Sequence, residues 1–474
     1  MHRISKNPFV LATFGCLAVW AEDWPQFRGA NGQGVSASRN LPVEFGPEKN
    51  VVWKTPLPPG HSSPVIAGNR IFVTAYENDK LFTVALDRET GKVVWRREAP
   101  RPRKQELHKA NSPVSPSPVT DGRNVFVFFT DFGLLSYGPD GNERWRTPLG
   151  PFNNPFGMGA SPVLVGRTLL QACDAESGSF FAAFDAETGK QKWRVERPEY
   201  TRGFSTPVIY RPPDGPVQAI LAGSYQLTSY DVETGQEVWF FRGLTWQLKP
   251  TPVLGKDAIY VLGWAGGSDT GQQEQIPPFE DVLKSWDADK DGKLSKQEVP
   301  DPKITKDWRA VDLDDDGVLG ARDWRLYQSR RSAQNAFQAI KLGPKGDISA
   351  GGLLWRYTKT LPNVPSPLLY HNVLYLIKEG GILTTLDPAT GDVIKQGRLQ
   401  GALSPYFASP VAGDGKVYVV SEAGNVVVLK AAGEWEVLAV NNLEESCHAT
   451  PAIVDDKIYI RTHSALYCFA KKTP

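Results

Sequence analysis

Cysteine is scarce. The 474 residues hold four, and one of them, Cys16, falls in the N-terminal stretch. Export with loss of that stretch would leave Cys173, Cys447 and Cys468, an odd number with at least one unpaired thiol. Cys447 and Cys468 fall in one repeat, on strands that would have to distort to join them, so buried free thiols are expected. Net charge is scarce too. The 53 Lys and Arg against 52 Asp and Glu give +1, which makes no electrostatic case for nucleic acid or an anionic membrane. No segment after residue 21 could cross a bilayer as an apolar helix. Nucleophile elbow, phosphate loop and zinc-type histidine spacing are all missing.

What the chain does have is tryptophan, 14 in all, proline, 38, and a repeated phrase. Its clearest form is Asp185-Ala186-Glu187-Thr188-Gly189-Lys190-Gln191-Lys192-Trp193. It recurs from Asp87 to Trp95 and from Asp231 to Trp239, more loosely from Asp140 to Trp145, and from Asp387 with Lys395 in place of the Trp. The Gly suits a hairpin turn that needs positive φ. The indole offers each repeat one large apolar anchor against its neighbour. Ahead of each phrase stands Ser-Pro or Thr-Pro, at Ser63, Ser117, Ser161, Thr206, Thr251, Ser366, Ser409 and Thr450, followed by a β-rich apolar run. Eight such units of four strands each, A to D, predict an all-β fold: an eight-bladed propeller. The eighth unit stops after its third strand. Residues 51–54 read as the missing strand D, which would close the ring and remove both sheet edges.

The Asp-x-x-Thr-Gly-x-x-x-Trp phrase resembles the tryptophan-docking repeat of pyrroloquinoline-quinone (PQQ) type propellers, over nearly all of residues 51–472. That family includes PQQ-dependent alcohol dehydrogenases and a non-catalytic outer-membrane-assembly lipoprotein. The opening Trp24-Pro25-Gln26-Phe27-Arg28-Gly29 also resembles the start of many secreted propellers of this group. In the resembling dehydrogenases the cofactor sits over the channel against adjacent cysteines. No Cys-Cys pair and no Cys-x-x-Cys-His haem motif occurs here, and that family's catalytic Asp and calcium ligands map onto no residue of this chain.

Residues 1–21 read as a secretory signal: His2, Arg3 and Lys6 ahead of the apolar stretch 8–20, with a cleavage point near Ala21. A buried N-terminal helix is the other reading, and the residues before Cys16 fit a lipoprotein signal poorly. The chain is thus expected in the periplasm or outside the cell. Residues 22–50 are expected to form an irregular arm packed across the propeller and anchored by Trp24 and Phe27. Residues 51–474 form the propeller itself.

One stretch, 270–332, interrupts blade five between its second and third strands. Asp287-x-Asp289-x-Asp291-Gly292 with Glu298 fits the EF-hand loop at its ligand positions, and Asp312-x-Asp314-x-Asp316-Gly317 with Asp323 fits again. Carboxylates at alternating positions converge on one hard cation. Lys293 and Val318 would add backbone carbonyls, and Leu294 and Leu319 would pair the two loops. Phe279, Val282, Leu283 and Trp286 have helical spacing ahead of loop one, and Trp308 and Val311 precede loop two. Two Ca²⁺ ions are expected, the second site weaker because Asp is shorter than Glu. Acidic surface loops that bind nothing are the alternative. The insertion falls on the face that carries the D–A connections, as a lid, a docking surface or decoration.

That face also gathers histidines. His61, His108, His448 and His463 come from blades one, two and eight, which are consecutive in the closed ring, with Asn111 and Glu445 in the same loops. They could share a ligand or transition metal, or serve as acid and base. The plain alternative is loop imidazoles bonded to carbonyls. Trp246 could stack a planar ligand, or pack against Lys249 or Phe204. Two functions stay open. One is a calcium-binding scaffold, monomeric, with a protein, small molecule or carbohydrate as partner. The other is a PQQ-dependent quinoprotein oxidoreductase.

Overall fold

The computed structural model describes residues 22–343 and 345–472; the signal expected at 1–21 lies outside the described residues. Eight sheets of four antiparallel strands follow one another around a ring. Blades one to three run from Val65 to Ala99, Val119 to Pro148 and Val163 to Glu196. Blades four to eight start at Val208, Val253, Leu368, Val411 and Ala452. In blade eight the outer position is taken by strand Val51–Pro56, which pairs with strand Ala465–Ala470 through Val51 opposite Phe469 and Pro56 opposite Ala465. The ring is closed by its N-terminal strand.

The repeated phrase has a double task. Gly91, Gly141, Gly189, Gly235 and Gly391 all sit at φ between +70° and +78°, where an L side chain is strained by about 1 kcal/mol or more. Each also lies against the indole of the preceding blade. A Cβ on Gly235 would stand 2.8 Å from Trp193, and one on Gly91 2.6 Å from Trp53. The indole N–H is satisfied in the same place. Trp53, Trp95, Trp145, Trp193 and Trp355 donate to the carbonyls of Arg88, Pro139, Ala186, Val232 and Pro388, at 2.9–3.0 Å. Where Lys395 replaces Trp, its ammonium donates to the Trp435 carbonyl at 2.7 Å and lies 4.3 Å from that ring. The anchor between blades is therefore part apolar and part hydrogen bond, worth on the order of 1 kcal/mol each for the polar part.

Trp239 of blade four is the exception, because blade five has no tight C–D turn. Its longer connection sends Gly346–Asp347 back to pair in parallel with strand Glu237–Arg242, giving blade four a fifth short strand. Trp239 donates instead to Gln218 within its own blade, at 3.0 Å.

The arm crosses the ring. Trp24 exchanges two backbone bonds of 2.8 Å with Ile66 of blade one, and the Pro25 carbonyl accepts from Thr120 of blade two. Asn31 bonds Ile209 of blade four, Arg28 donates to the Pro367 carbonyl of blade six, and Ser36 bonds Ala412 of blade seven. Blades two and six face each other across the ring, so the arm spans the channel. Trp24 and Arg28 are buried. Cys173, Cys447 and Cys468 are buried and unpaired.

Candidate functional site

The Ser-Pro and Thr-Pro steps that begin each strand A build a collar around the channel. The Ser63 backbone N–H donates to the Ser117 hydroxyl at 2.9 Å, Ser117 to Ser161 at 2.9 Å, and Ser161 to Thr206 at 3.1 Å. Thr251 donates to Ser366, Ser366 to Ser409, Ser409 to Thr450, and Thr450 back to Ser63, each at 3.0 Å. The circuit misses one link, between Thr206 and Thr251, beside the blade that carries the insertion. Each accepting hydroxyl in the circuit takes its bond from the N–H of the preceding blade and keeps its own proton to donate. Proline fits the following position because its missing N–H costs nothing where no ladder partner stands. The recurrence was plain in the sequence; its role as a collar was not, because every bond joins residues 41 or more apart in the chain.

The collar surrounds a cavity of about 540 Å³ on the face of the D–A connections, lined also by Phe27 of the arm, Phe156, Phe204, Phe407 and Lys249. His61, His108 and His448 line it. His61 and His448 stack, centroids 4.2 Å apart and planes 1° from parallel, and Phe407 stacks on His448 at 4.9 Å. Burial, with His448, Arg461 and His463 nearby, holds the His61 imidazole down at about 3, and burial lowers His448. Both are neutral near pH 7, donors or acceptors rather than cations. Parallel rings hold their nitrogen lone pairs in two parallel planes, so this stack does not converge on one metal ion. Among the described residues, only the two aspartate triplets bring three metal-ligating side chains together.

His108 packs on Phe156 at 5.6 Å on the same cavity. His463 does not join them: it is exposed, and its backbone bonds Ser446. Glu445 is turned to Thr462 and Ser464. The carboxylate near His448 is Glu422, 3.5 Å away, a residue two strands from any histidine and without a sequence signal. Trp246 is also off the cavity. It is buried, donates to Ser268 at 3.0 Å, and has the Arg330 and Arg202 guanidinium groups over its ring at 4.6 and 5.4 Å. Cations cover the surface that a planar ligand would need.

The inserted stretch folds on its own small core of Phe279, Val282, Leu294, Ile304, Leu319 and Trp324. Leu294 pairs with Leu319 and Ser295 with Val318, antiparallel. Helix Phe279–Trp286 leads into loop one and helix Ala321–Ser332 leaves loop two. The segment between them departs from two full helix–loop–helix units. Pro300 and Pro302 bar a helix after loop one, leaving Pro302–Lys306 and the turn Trp308–Ala310 ahead of loop two. The carboxylate oxygens of Asp287, Asp289 and Asp291 lie within 4.8 Å of one another, as do those of Asp312, Asp314 and Asp316. Glu298 accepts from the Ser295 hydroxyl and backbone and from Ala288 N–H, which holds its carboxyl down at about 2. Asp323 is buried, and burial raises its carboxyl.

Loop two is the one docked on the propeller. Asn153 donates to the Leu313 carbonyl at 2.9 Å, and Arg322, next to Asp323, donates to the carbonyls of Pro198 and Glu176. Arg325 pairs with Glu199. Loop one faces solvent. The stretch therefore leans over blades two to four, beside the cavity mouth, and Phe156 lines both the cavity and the cleft beneath loop two.

Fold and site define an eight-bladed propeller with a hydroxyl-collared cavity on one face. A family profile described as outer membrane protein assembly factor BamB matches residues 45–154, 82–240 and 316–473. Together these cover more than half of the chain, and the protein belongs to this PQQ-type repeat family. No curated protein matches the chain. BamB from Moraxella catarrhalis superposes with a TM-score of 0.57 at 11% identity, covering 90% of this chain and 98% of its own. A europium-containing methanol dehydrogenase gives 0.59 at 10% identity, covering 95% and 98%. The quinohemoprotein alcohol dehydrogenase from Comamonas testosteroni gives 0.60 at 13%, covering 95% and 81%. At these identities the likeness is one of fold.

Proposed function

We propose that the protein is an exported, calcium-binding propeller that works by holding a ligand or partner on its channel face. The observation that carries this reading is the cavity lining: aromatic rings, hydroxyls, imidazoles and amines, with no carboxylate among the residues that line it. Such a surface suits binding, and its lining offers no carboxylate to act as base or to hold a catalytic cation. Export rests on the basic and apolar opening of the chain.

The second reading is a quinoprotein oxidoreductase, favoured by the place of the cavity over the channel. The residues present do not fit that group. The adjacent cysteines are missing, the lining carboxylates are missing, and Trp246 is covered by arginines.

Calcium belongs to the inserted stretch. Alternating carboxylates within 4.8 Å of one another are an oxygen donor set suited to a hard cation, and Gly292 and Gly317 sit at φ +82° and +87° where the loop turns. Asp287, Asp289, Asp291, the Lys293 carbonyl and Glu298 would hold the first ion. Asp312, Asp314, Asp316, the Val318 carbonyl and Asp323 would hold the second. Calorimetry should find two Ca²⁺ per chain with loop one tighter, and Asp287→Ala should remove the tighter event. Two unchanged events in that variant would refute the assignment.

A further inference from the structure

Lys249 is a cation in an unusual place. It lines the cavity, and no ion pair engages it among the described residues. Its Nζ donates to the Gln247 side-chain carbonyl at 2.6 Å and to the Trp264 backbone carbonyl at 3.3 Å. Two acceptors satisfy both N–H bonds of a neutral amine and leave one lone pair over. An ammonium would keep one N–H unmatched in surroundings without a counter-charge. The cavity is large enough for a ligand of ordinary metabolite size, and Phe27, Phe156, Phe204 and Phe407 give it an apolar wall. A desolvated, unpaired amine on such a wall is the usual setting of a nucleophilic lysine.

We propose that Lys249 captures the carbonyl of an aldehyde with an aromatic or apolar body as a reversible imine inside this cavity. The Nζ lone pair adds to the carbonyl carbon while the C=O π pair moves to oxygen. One proton leaves nitrogen and one reaches oxygen, giving a carbinolamine. The C–O bond then breaks, water departs with a second proton, and nitrogen forms the C=N bond. The sum is amine plus aldehyde to imine plus water, with no oxidant or reductant. Burial holds the Lys249 amine down at about 7, so a good share is unprotonated and reactive near neutral pH. The inference rests on the reading of the cavity as a ligand site and names the ligand class.

Benzaldehyde with cyanoborohydride at pH 7, followed by peptide mass spectrometry, tests it on the intact protein. The expected result is a benzyl adduct on Lys249 formed at least about tenfold faster than on exposed lysines, whose amines are almost wholly protonated at that pH. Labelling of Lys249 should level off above pH 8 while exposed lysines continue to rise. Val364→Trp, which fills the cavity from a partly exposed loop, should abolish the preference without touching the amine. Adducts spread evenly over surface lysines would overturn the proposal. Uptake of carbonyl-free benzyl alcohol, read by ligand-observed NMR and blocked by Val364→Trp, separates the two ideas. Benzyl alcohol uptake without a Lys249 adduct overturns the imine and keeps the binding cavity; uptake of neither compound overturns both.

Discussion

His61 stays neutral through the physiological range because its ring is desolvated by burial, stacked on His448 and near Arg461 and His463, with Glu422 beside only the other imidazole. Its native proton affinity, down at about 3, is well below the ordinary 6.5. Between those values the unfolded chain binds a proton that the native protein does not. The stabilisation is thus complete above pH 6.5 and lost as pH falls toward 3, with a slope of up to about 1.4 kcal/mol per pH unit. Urea unfolding at pH 7.5 and 4.5 should show wild type losing on the order of 2–3 kcal/mol more than His61→Asn over that interval. Equal losses would contradict the buried neutral imidazole. The histidines show how far residue-level reading reached. His61 and His448 stand just before proline steps, and His108 leads into blade two, so their position in the ring follows from the repeat count. His463 sits in a B–C turn, where one residue of register decides between the cavity and solvent. The Lys249 amine carried no signal, since burial and unmatched charge are properties of the assembled wall.

Strands read well because each carries its own marks: a Ser-Pro or Thr-Pro start, an apolar run, and the Gly-to-Trp phrase. The strand Val51–Pro56 was readable only by elimination, through a blade that lacked a partner, and it falls where closure demands. Less visible was the excursion of Gly346–Asp347 onto blade four, because nothing in a Gly-Pro-Lys-Gly connection states which edge it will join. The prolines after loop one also redirected the inserted stretch, a local rule that the match to loop positions had overshadowed. Closure can be tested at this scale. Removing residues 22–57 strips both the arm and the outer strand of blade eight, exposing the edge of strand Ala465–Ala470. The truncated chain should melt several degrees lower and associate through that edge. An unchanged melting temperature would mean that the strand contributes nothing to the ring.

The whole molecule is a closed ring with its arm laid across one side and its inserted stretch leaning over the other. The ring was readable because repetition multiplies a weak motif eightfold. Function was not, because the cavity at the axis draws its lining from the entries of all eight blades, and the set comes together only in the closed ring. On the proposed function, that cavity binds without oxidising. The most direct measurement is to incubate the purified protein with PQQ and Ca²⁺, or a lanthanide, and follow dye-linked oxidation of methanol and ethanol together with the quinone absorbance. Turnover no greater than that of a heat-denatured blank and no stoichiometric uptake of the quinone are expected. Reproducible turnover that scales with one PQQ per chain would contradict a cavity that only binds.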